Sequence, residues 1–289
     1  MAPRVLLLTA VIIWGWTFVA TKILVAELGP VELLAMRLII GVPVLGGLLL
    51  VRRVPLTFSR ADIVPLASGG LILACHLLIQ IAGMKTTTAT NTAWLISVSP
   101  LAIVLLSFVF LRERVGRATV VGLAVASVGV VVLVSRGHLS DLGWLRSTGD
   151  WLVVVSAHTW AIYTVVTRDL SRRRPALAVT FVILLIAAAF AALLFLLWGD
   201  AGLVRALTPR SVAALLYLAI PGLALGLWFW QEGVARLGAS RAALYLYLEP
   251  IATLMLAIPV LGESFGLATA LGGALVLAGV YTGQRDRSR

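Results

Sequence analysis

Cysteine occurs once in this chain, at Cys75, and histidine three times, at His76, His138 and His158. With no second cysteine there is no internal disulfide and no cysteine-based zinc site. His76 and His158 lack an i,i+4 partner histidine or a nearby carboxylate pair, so neither a metal nor a cofactor is expected. Charge is scarce too: 12% of the 289 residues are Asp, Glu, Lys or Arg, against 61% hydrophobic residues and a mean hydropathy of +1.07. That composition lies far outside the soluble range and excludes an ordinary water-soluble domain. One catalytic pattern is present, Gly262-Glu263-Ser264-Phe265-Gly266, which fits the G-x-S-x-G of a hydrolase nucleophile elbow. An elbow needs an acid and a histidine later in the chain, and no histidine follows Ser264.

What is abundant is apolar length. Runs of about 20 residues, enough to cross a hydrocarbon core of roughly 30 Å, recur from end to end with short polar breaks. They predict ten spans at 4–25, 31–51, 63–84, 88–111, 117–136, 149–169, 174–198, 209–233, 239–261 and 267–284. Backbone amides in hydrocarbon must be satisfied within their own segment, and period-2 alternation is missing, so the fold class is an all-α integral membrane protein rather than a barrel. The first span lacks a small-residue cleavage site and leads directly into the second, so it reads as a retained helix.

The net charge of +11 raises the question of nucleic acid, and its distribution answers it. With an even number of spans both termini share one side, and that side receives sixteen of the 23 Lys and Arg, including Arg52, Arg53, Arg112, Arg114, Arg168, Arg172, Arg173 and Arg174, against five in the opposite loops. This is the positive-inside pattern, which places both termini in the cytoplasm of a multi-pass cell-membrane protein. The basic excess is a topology signal, and a nucleic-acid partner is not expected.

The chain also repeats itself. Aligning residue n with n+150 sets Pro100–Val131 on Pro250–Tyr281 without a gap, and twelve of 32 pairs are identical, among them Pro100/Pro250, Glu113/Glu263, Gly116/Gly266, Gly122/Gly272 and Gly129/Gly279. Apolar composition alone matches Ala, Leu and Val often, but not Pro, Glu and three Gly together. At the front of each half, Trp14 in WGWTFV answers Trp160 in WAIYTV. Two five-helix units follow, 1–138 and 147–289. Five is odd, so the second enters the membrane from the opposite side. Inverted repeats of this kind are the architecture of secondary transporters, with the solute site where the units meet.

Trp14-Gly15 with Phe18-Val19, Arg37 in AMRLI, Pro100 and Pro250, and the Leu111–Glu113 and Leu261–Glu263 ends with Gly116 and Gly266 together resemble the EamA family of the drug/metabolite transporter superfamily, over essentially the whole chain. The resemblance implies a ten-helix fold around a central cavity lined by helices 1, 3, 4, 6, 8 and 9, and export of small metabolites. In kind, the aromatic set is similar to that of the YddG-like aromatic amino-acid exporters.

Polar side chains on apolar helices are costly in a membrane and default to function. In the third span His76 and Gln80 share a face. The fourth offers Asn91 and Trp94, the sixth His158, Trp160 and Tyr163, and the eighth Trp228 and Gln231. In the ninth, Arg241, Tyr245 and Glu249 recur at four-residue spacing, and Glu249 stands directly before Pro250 as Ser99 stands before Pro100. Trp14, His76, Gln80, Asn91, Trp94, His158, Trp160, Tyr163, Trp228, Gln231, Tyr245 and Glu249 form the predicted solute site, with Pro100 and Pro250 as hinge positions, because a helix proline removes one backbone hydrogen bond. Trp144, Trp151 and Trp198 sit at span ends, as interfacial belt residues do. Rings suit stacking and cation–π contact, and Gln and Glu suit an ammonium. The expected partners are a small solute, membrane lipid and, through Glu249 and the histidines, protons. The leading reading is a secondary transporter exporting amino acids or related metabolites by alternating access. Its competitors are an importer of a vitamin or nucleoside-like solute and an intramembrane enzyme using Ser264 or the histidines. The repeat equivalent of Ser264 is Arg114, so one unit does without that hydroxyl.

Overall fold

The protein is described here from a computed structural model covering residues 2–134, 147–205, 207–261 and 267–285. The Gly262–Gly266 pentapeptide, with Glu263 and Ser264, lies outside the described residues, as do His138 and Trp144. All described regular structure is helical: α1 (Pro3–Leu24), α2 (Pro30–Arg52), a 3₁₀ turn at Arg60–Asp62, α3 (Ile63–Met84), α4 (Ala89–Ile96), α5 (Ser99–Phe110), α6 (Arg117–Val134), α7 (Thr148–Arg173), α8 (Ala176–Trp198), α9 (Ala201–Arg205), α10 (Pro209–Tyr217), a π-helical segment Leu218–Leu225, α11 (Gly226–Leu237), α12 (Ala239–Leu246), α13 (Glu249–Leu261) and α14 (Leu267–Gly283). Six stretches are long and apolar enough to cross a bilayer: Pro3–Leu24, Pro30–Arg52, Arg60–Met84, Ala89–Phe110, Ala176–Trp198 and Pro209–Leu237. The other predicted spans correspond to α6, α7, α12 with α13, and α14.

Local chemistry sets the ends. Pro3, Pro30 and Pro209 open their helices in the first turn, where a missing N–H costs nothing. Thr88 caps α4 by accepting from the Asn91 N–H at 3.0 Å. Ser147 and Asp150 form a reciprocal capping box at the start of α7. Between α11 and α12, Gly238 adopts φ +85°, a left-handed turn that favours glycine.

Two predicted spans are broken inside. Helix is interrupted at Ser97–Val98 and again at Tyr247–Leu248, positions 150 apart. The N–H groups of Ser97, Val98, Tyr247 and Leu248 tighten to i−3 acceptors, for example Ser97 N–H to Trp94 O at 3.0 Å and Leu248 N–H to Tyr245 O at 2.9 Å. Pro100 and Pro250 follow within three residues and offer no N–H to the carbonyls of Ile96 and Leu246, which explains the interruption. The stripe of Arg241, Tyr245 and Glu249 is therefore divided: Tyr245 belongs to α12, and Glu249 begins α13.

Outward faces are apolar. Leu50, Val51 and Leu196 are each more than 80% exposed, as side chains facing lipid tails are. Trp151 and Trp198 are exposed at helix ends. Inside, small residues allow close crossings. A Cβ on Gly122 of α6 would lie 2.5 Å from Gly279 O of α14, and one on Gly129 would lie 2.8 Å from Gly272 O. On α1, a Cβ at Gly15 would meet Ala252 Cβ at 2.6 Å and Glu249 O at 2.8 Å. That crossing brings α13 directly against α1.

Candidate functional site

A cavity lies between these helices, mostly apolar in its lining with a few convergent polar groups, as small-molecule sites are. Helix α1 supplies Trp14, Thr17 and Phe18; α2 supplies Arg37; α3 supplies Leu73, His76, Leu77 and Gln80; α7 supplies Trp160. The π-helical segment and α11 add Gly222, Leu223 and Leu227, and the two broken spans add Ile96 with Ser99 and Leu246 with Glu249. The last four are two pairs of positions 150 apart, one on each side of each helix break.

The aromatic wall is held from several directions. The Trp14 indole N–H donates to Gly222 O at 2.9 Å, a bond made to a stretch where π-helical winding and Pro221 disturb the regular ladder. Trp14 meets Trp160 edge-on at 5.0 Å between centroids and 87° between planes, and Trp160 lies 5.7 Å from Trp230, 5.3 Å from His76 and 5.2 Å from Tyr163. The Thr17 hydroxyl folds back on Trp14 O at 2.6 Å, and the Tyr217 hydroxyl holds Ile13 O at 2.9 Å. His76 Nδ1 lies 2.9 Å from Ser156 O. A carbonyl only accepts, so Nδ1 carries the proton and Nε2 is the ring nitrogen left to face other groups. Below Glu249, the Thr253 hydroxyl sits 2.9 Å from both Gly15 O and Glu249 O, tying the start of α13 to α1.

Of the residues predicted to touch solute, Trp14, His76, Gln80, Trp160 and Glu249 line this cavity. The others stand elsewhere. Tyr163 and Gln231 are bonded to each other: the Gln231 amide donates to Tyr163 Oη at 2.7 Å and Thr167 Oγ1 at 2.9 Å, and Ser171 donates to Gln231 Oε1 at 2.9 Å. Asn91 donates to Asp150 at 2.7 Å and to Thr87 at 3.1 Å. His158 is exposed, with Nδ1 on Val154 O at 2.8 Å. Trp228 lies under the Arg52 guanidinium at 4.9 Å, and Trp94 and Tyr245 are buried in the apolar core. Thr17, Phe18, Arg37 and Ser99 also line the cavity and were not among the predicted site residues; Trp230 packs behind it against Trp14 and Trp160. Thr17 stands one turn from Trp14 and Ser99 directly before Pro100, signals present in the sequence; Trp230 carries none, since its burial comes from packing against two other helices.

Polar clusters close around the helix ends. At one, Lys22 donates to Met84 O at 2.9 Å and Thr87 O at 2.7 Å, beside the Thr87–Asp150–Asn91 group. At another, Glu113 in the α5–α6 connection accepts from the N–H groups of Ala239 at 3.2 Å and Ser240 at 3.1 Å and from the Ser240 hydroxyl at 2.8 Å, and pairs with Arg168 at 2.9 Å. A carboxylate at the start of α12 meets the positive end of that helix. Glu27, between α1 and α2, has its carboxyl held below the usual range by hydrogen bonds from the hydroxyl of Ser211 and from Thr208.

Helical membrane architecture around an aromatic and polar cavity defines a polytopic membrane protein. The profile of the EamA-like transporter family matches residues 3–135 and again residues 147–282. The chain belongs to that family, within the drug/metabolite transporter superfamily. It is 29% identical over 281 residues, 96% of each chain, to a protein of Archaeoglobus fulgidus named "Uncharacterized transporter". To a "Probable terminal-alkyne amino-acid exporter" of Streptantibioticus cattleyicolor it is 30% identical, covering 95% of this chain and 90% of that one. A "Probable amino-acid metabolite efflux pump" of Salmonella typhimurium is 26% identical over 96% of this chain and 92% of its own. A solved crystal structure matches with a TM-score of 0.80 over 99% of both chains at 22% identity, a likeness of fold alone. Family and relatives indicate a transporter rather than an enzyme.

Proposed function

We propose that this protein is a secondary transporter that exports amino acids, aromatic ones among them, or related small metabolites across the cytoplasmic membrane by alternating access. Two inverted five-helix units, 1–138 and 147–289, would rock about the cavity between them, with both termini cytoplasmic. The observation that carries this reading is the cavity itself: Trp14 and Trp160, Ile96 and Leu246, Ser99 and Glu249 reach it from equivalent positions of the two halves. The glycine crossing supports it independently. Gly122 opposes Gly279 and Gly129 opposes Gly272, pairs that exchange when residues 150 apart are swapped, as a two-fold axis requires. The family profile matching twice and the sixteen-to-five split of basic residues agree with inverted units. The names of the Streptantibioticus and Salmonella relatives favour amino acids among solutes. Pro100 and Pro250, beside the two helix breaks, are the hinge positions of this proposal, and Glu249 is its proton-carrying group.

Purified protein in liposomes loaded with an amino-acid panel tests this reading. Saturable efflux of at least one amino acid is expected, and Trp160→Ala should reduce it strongly. No saturable flux for any member would overturn it. Coupling to protons predicts that Glu249→Gln loses the pH dependence of flux; unchanged transport and pH profile would remove that role.

A further inference from the structure

Two ionisable side chains of opposite sign, Arg37 and Glu249, face the cavity, and among the described residues neither has an ion-pair partner. Arg37 is 6% exposed and Glu249 is 4% exposed. Among the described residues no ion pair or side-chain hydrogen bond is made by either, and Arg37 Nε is sealed from solvent without an acceptor. Buried charges are ordinarily paired, because an isolated one keeps the desolvation penalty and recovers nothing. Nor do the two neutralise each other. Arg37 comes from α2, which packs on α3, α8 and the π-helical segment, whereas Glu249 opens α13, which packs on α1 and α4.

We infer that Arg37 and Glu249 are the two poles of a zwitterion site: the guanidinium takes the carboxylate of the solute, Glu249 takes its ammonium, and Trp14 and Trp160 receive the side chain. The inference rests on the amino-acid reading above and assigns Arg37, one of the residues that carry the family resemblance, a role in specificity. Arginine matches a carboxylate with a fixed fork of donors, which a point charge does not. An anion satisfies Arg37 and leaves Glu249 unpaired; a cation does the reverse. Only a solute carrying both charges satisfies both without adding net charge to the site, so the free amino acid is selected over its amide, its N-acyl derivative and its decarboxylated amine.

The test titrates the full-length protein in detergent with L-phenylalanine, L-leucine and L-threonine, each also as the carboxamide and the N-acetyl derivative. Binding is read by thermal stabilisation and by cavity tryptophan fluorescence. The wild type should prefer at least one free amino acid over both derivatives by at least about tenfold, since a site built for a polar group rejects the analogue that lacks it. Arg37→Gln should abolish the preference over the amide and keep that over the N-acetyl form; Glu249→Gln should do the converse. If Arg37→Gln does not fold, Arg37→Lys, which keeps charge without the fork, should retain the acid preference at weaker affinity. Equal binding of acid and amide by the wild type, an unchanged acid-to-amide ratio in Arg37→Gln, or, where only Arg37→Lys folds, acid affinity equal to that of the wild type, overturns the charge assignment alone. Failure of every free amino acid to bind overturns the amino-acid reading beneath it as well.

Discussion

Glu113→Gln is the most informative single perturbation outside the cavity. The carboxylate takes two backbone N–H groups and a hydroxyl at the start of α12, together with the Arg168 guanidinium, in a setting where both charged side chains are only about 13–15% exposed. Glutamine keeps the shape and one acceptor oxygen but loses the charge, so the net loss is about one charge-assisted hydrogen bond, roughly 1.5–3 kcal/mol. At about 1.4 kcal/mol per factor of ten, that is roughly a 10- to 150-fold shift in the population of the arrangement in which the α12 start is held against the α5–α6 connection. Cys75 is exposed and is the one cysteine of the chain, so Cys75→Ser supplies a clean background for Leu246→Cys on the cavity wall. A membrane-impermeant maleimide applied to each face in turn should label that site faster in Glu113→Gln from the face where Glu113 lies. Asp169→Asn, which removes the other carboxylate beside Arg168, 54% exposed, should change the rate little, as an exposed pair contributes little. Equal labelling rates in wild type and Glu113→Gln would refute the reasoning.

Gly279→Ala should lower stability by about 1–3 kcal/mol, because its Cβ would lie 2.5 Å from Ala126 N and 2.6 Å from Gly122 O, whereas Gly273→Ala, with nothing within 4 Å, should be neutral or gain up to about 1 kcal/mol; unfolding temperatures in detergent compare them. Gln231→Leu should destabilise by about 1–3 kcal/mol by stranding the Ser171 and Tyr163 hydroxyls, while solute selectivity in the efflux panel stays the same. Glu27 has a depressed pKa, so its bonds to Thr208 and Ser211 stabilise above the ordinary carboxylate range and are lost as pH falls through the folded value. Wild type should therefore be more stable than Glu27→Gln near neutral pH, and the difference in unfolding temperature should vanish in acid.

Membrane residence, helical class and family membership were legible in the sequence because each depends on local or periodic quantities: apolar length, the absence of alternation, and a recurring set of Pro, Glu and Gly. Which polar residues share the cavity depends on contacts between distant helices. His76 and Gln80 sit four apart and reach it together, but Tyr163 and Gln231, equally polar and equally membrane-placed, come from helices whose packing lets them satisfy one another. Asn91 is taken by Asp150 for the same reason. Arg37 stands inside the second apolar span of the sequence, yet only tertiary packing puts it on the same cavity as Glu249 with no ion-pair partner among the described residues. A sequence determines how much each group costs to bury; only the folded neighbourhood decides which of those groups the protein pairs for itself and which it leaves open to a cavity.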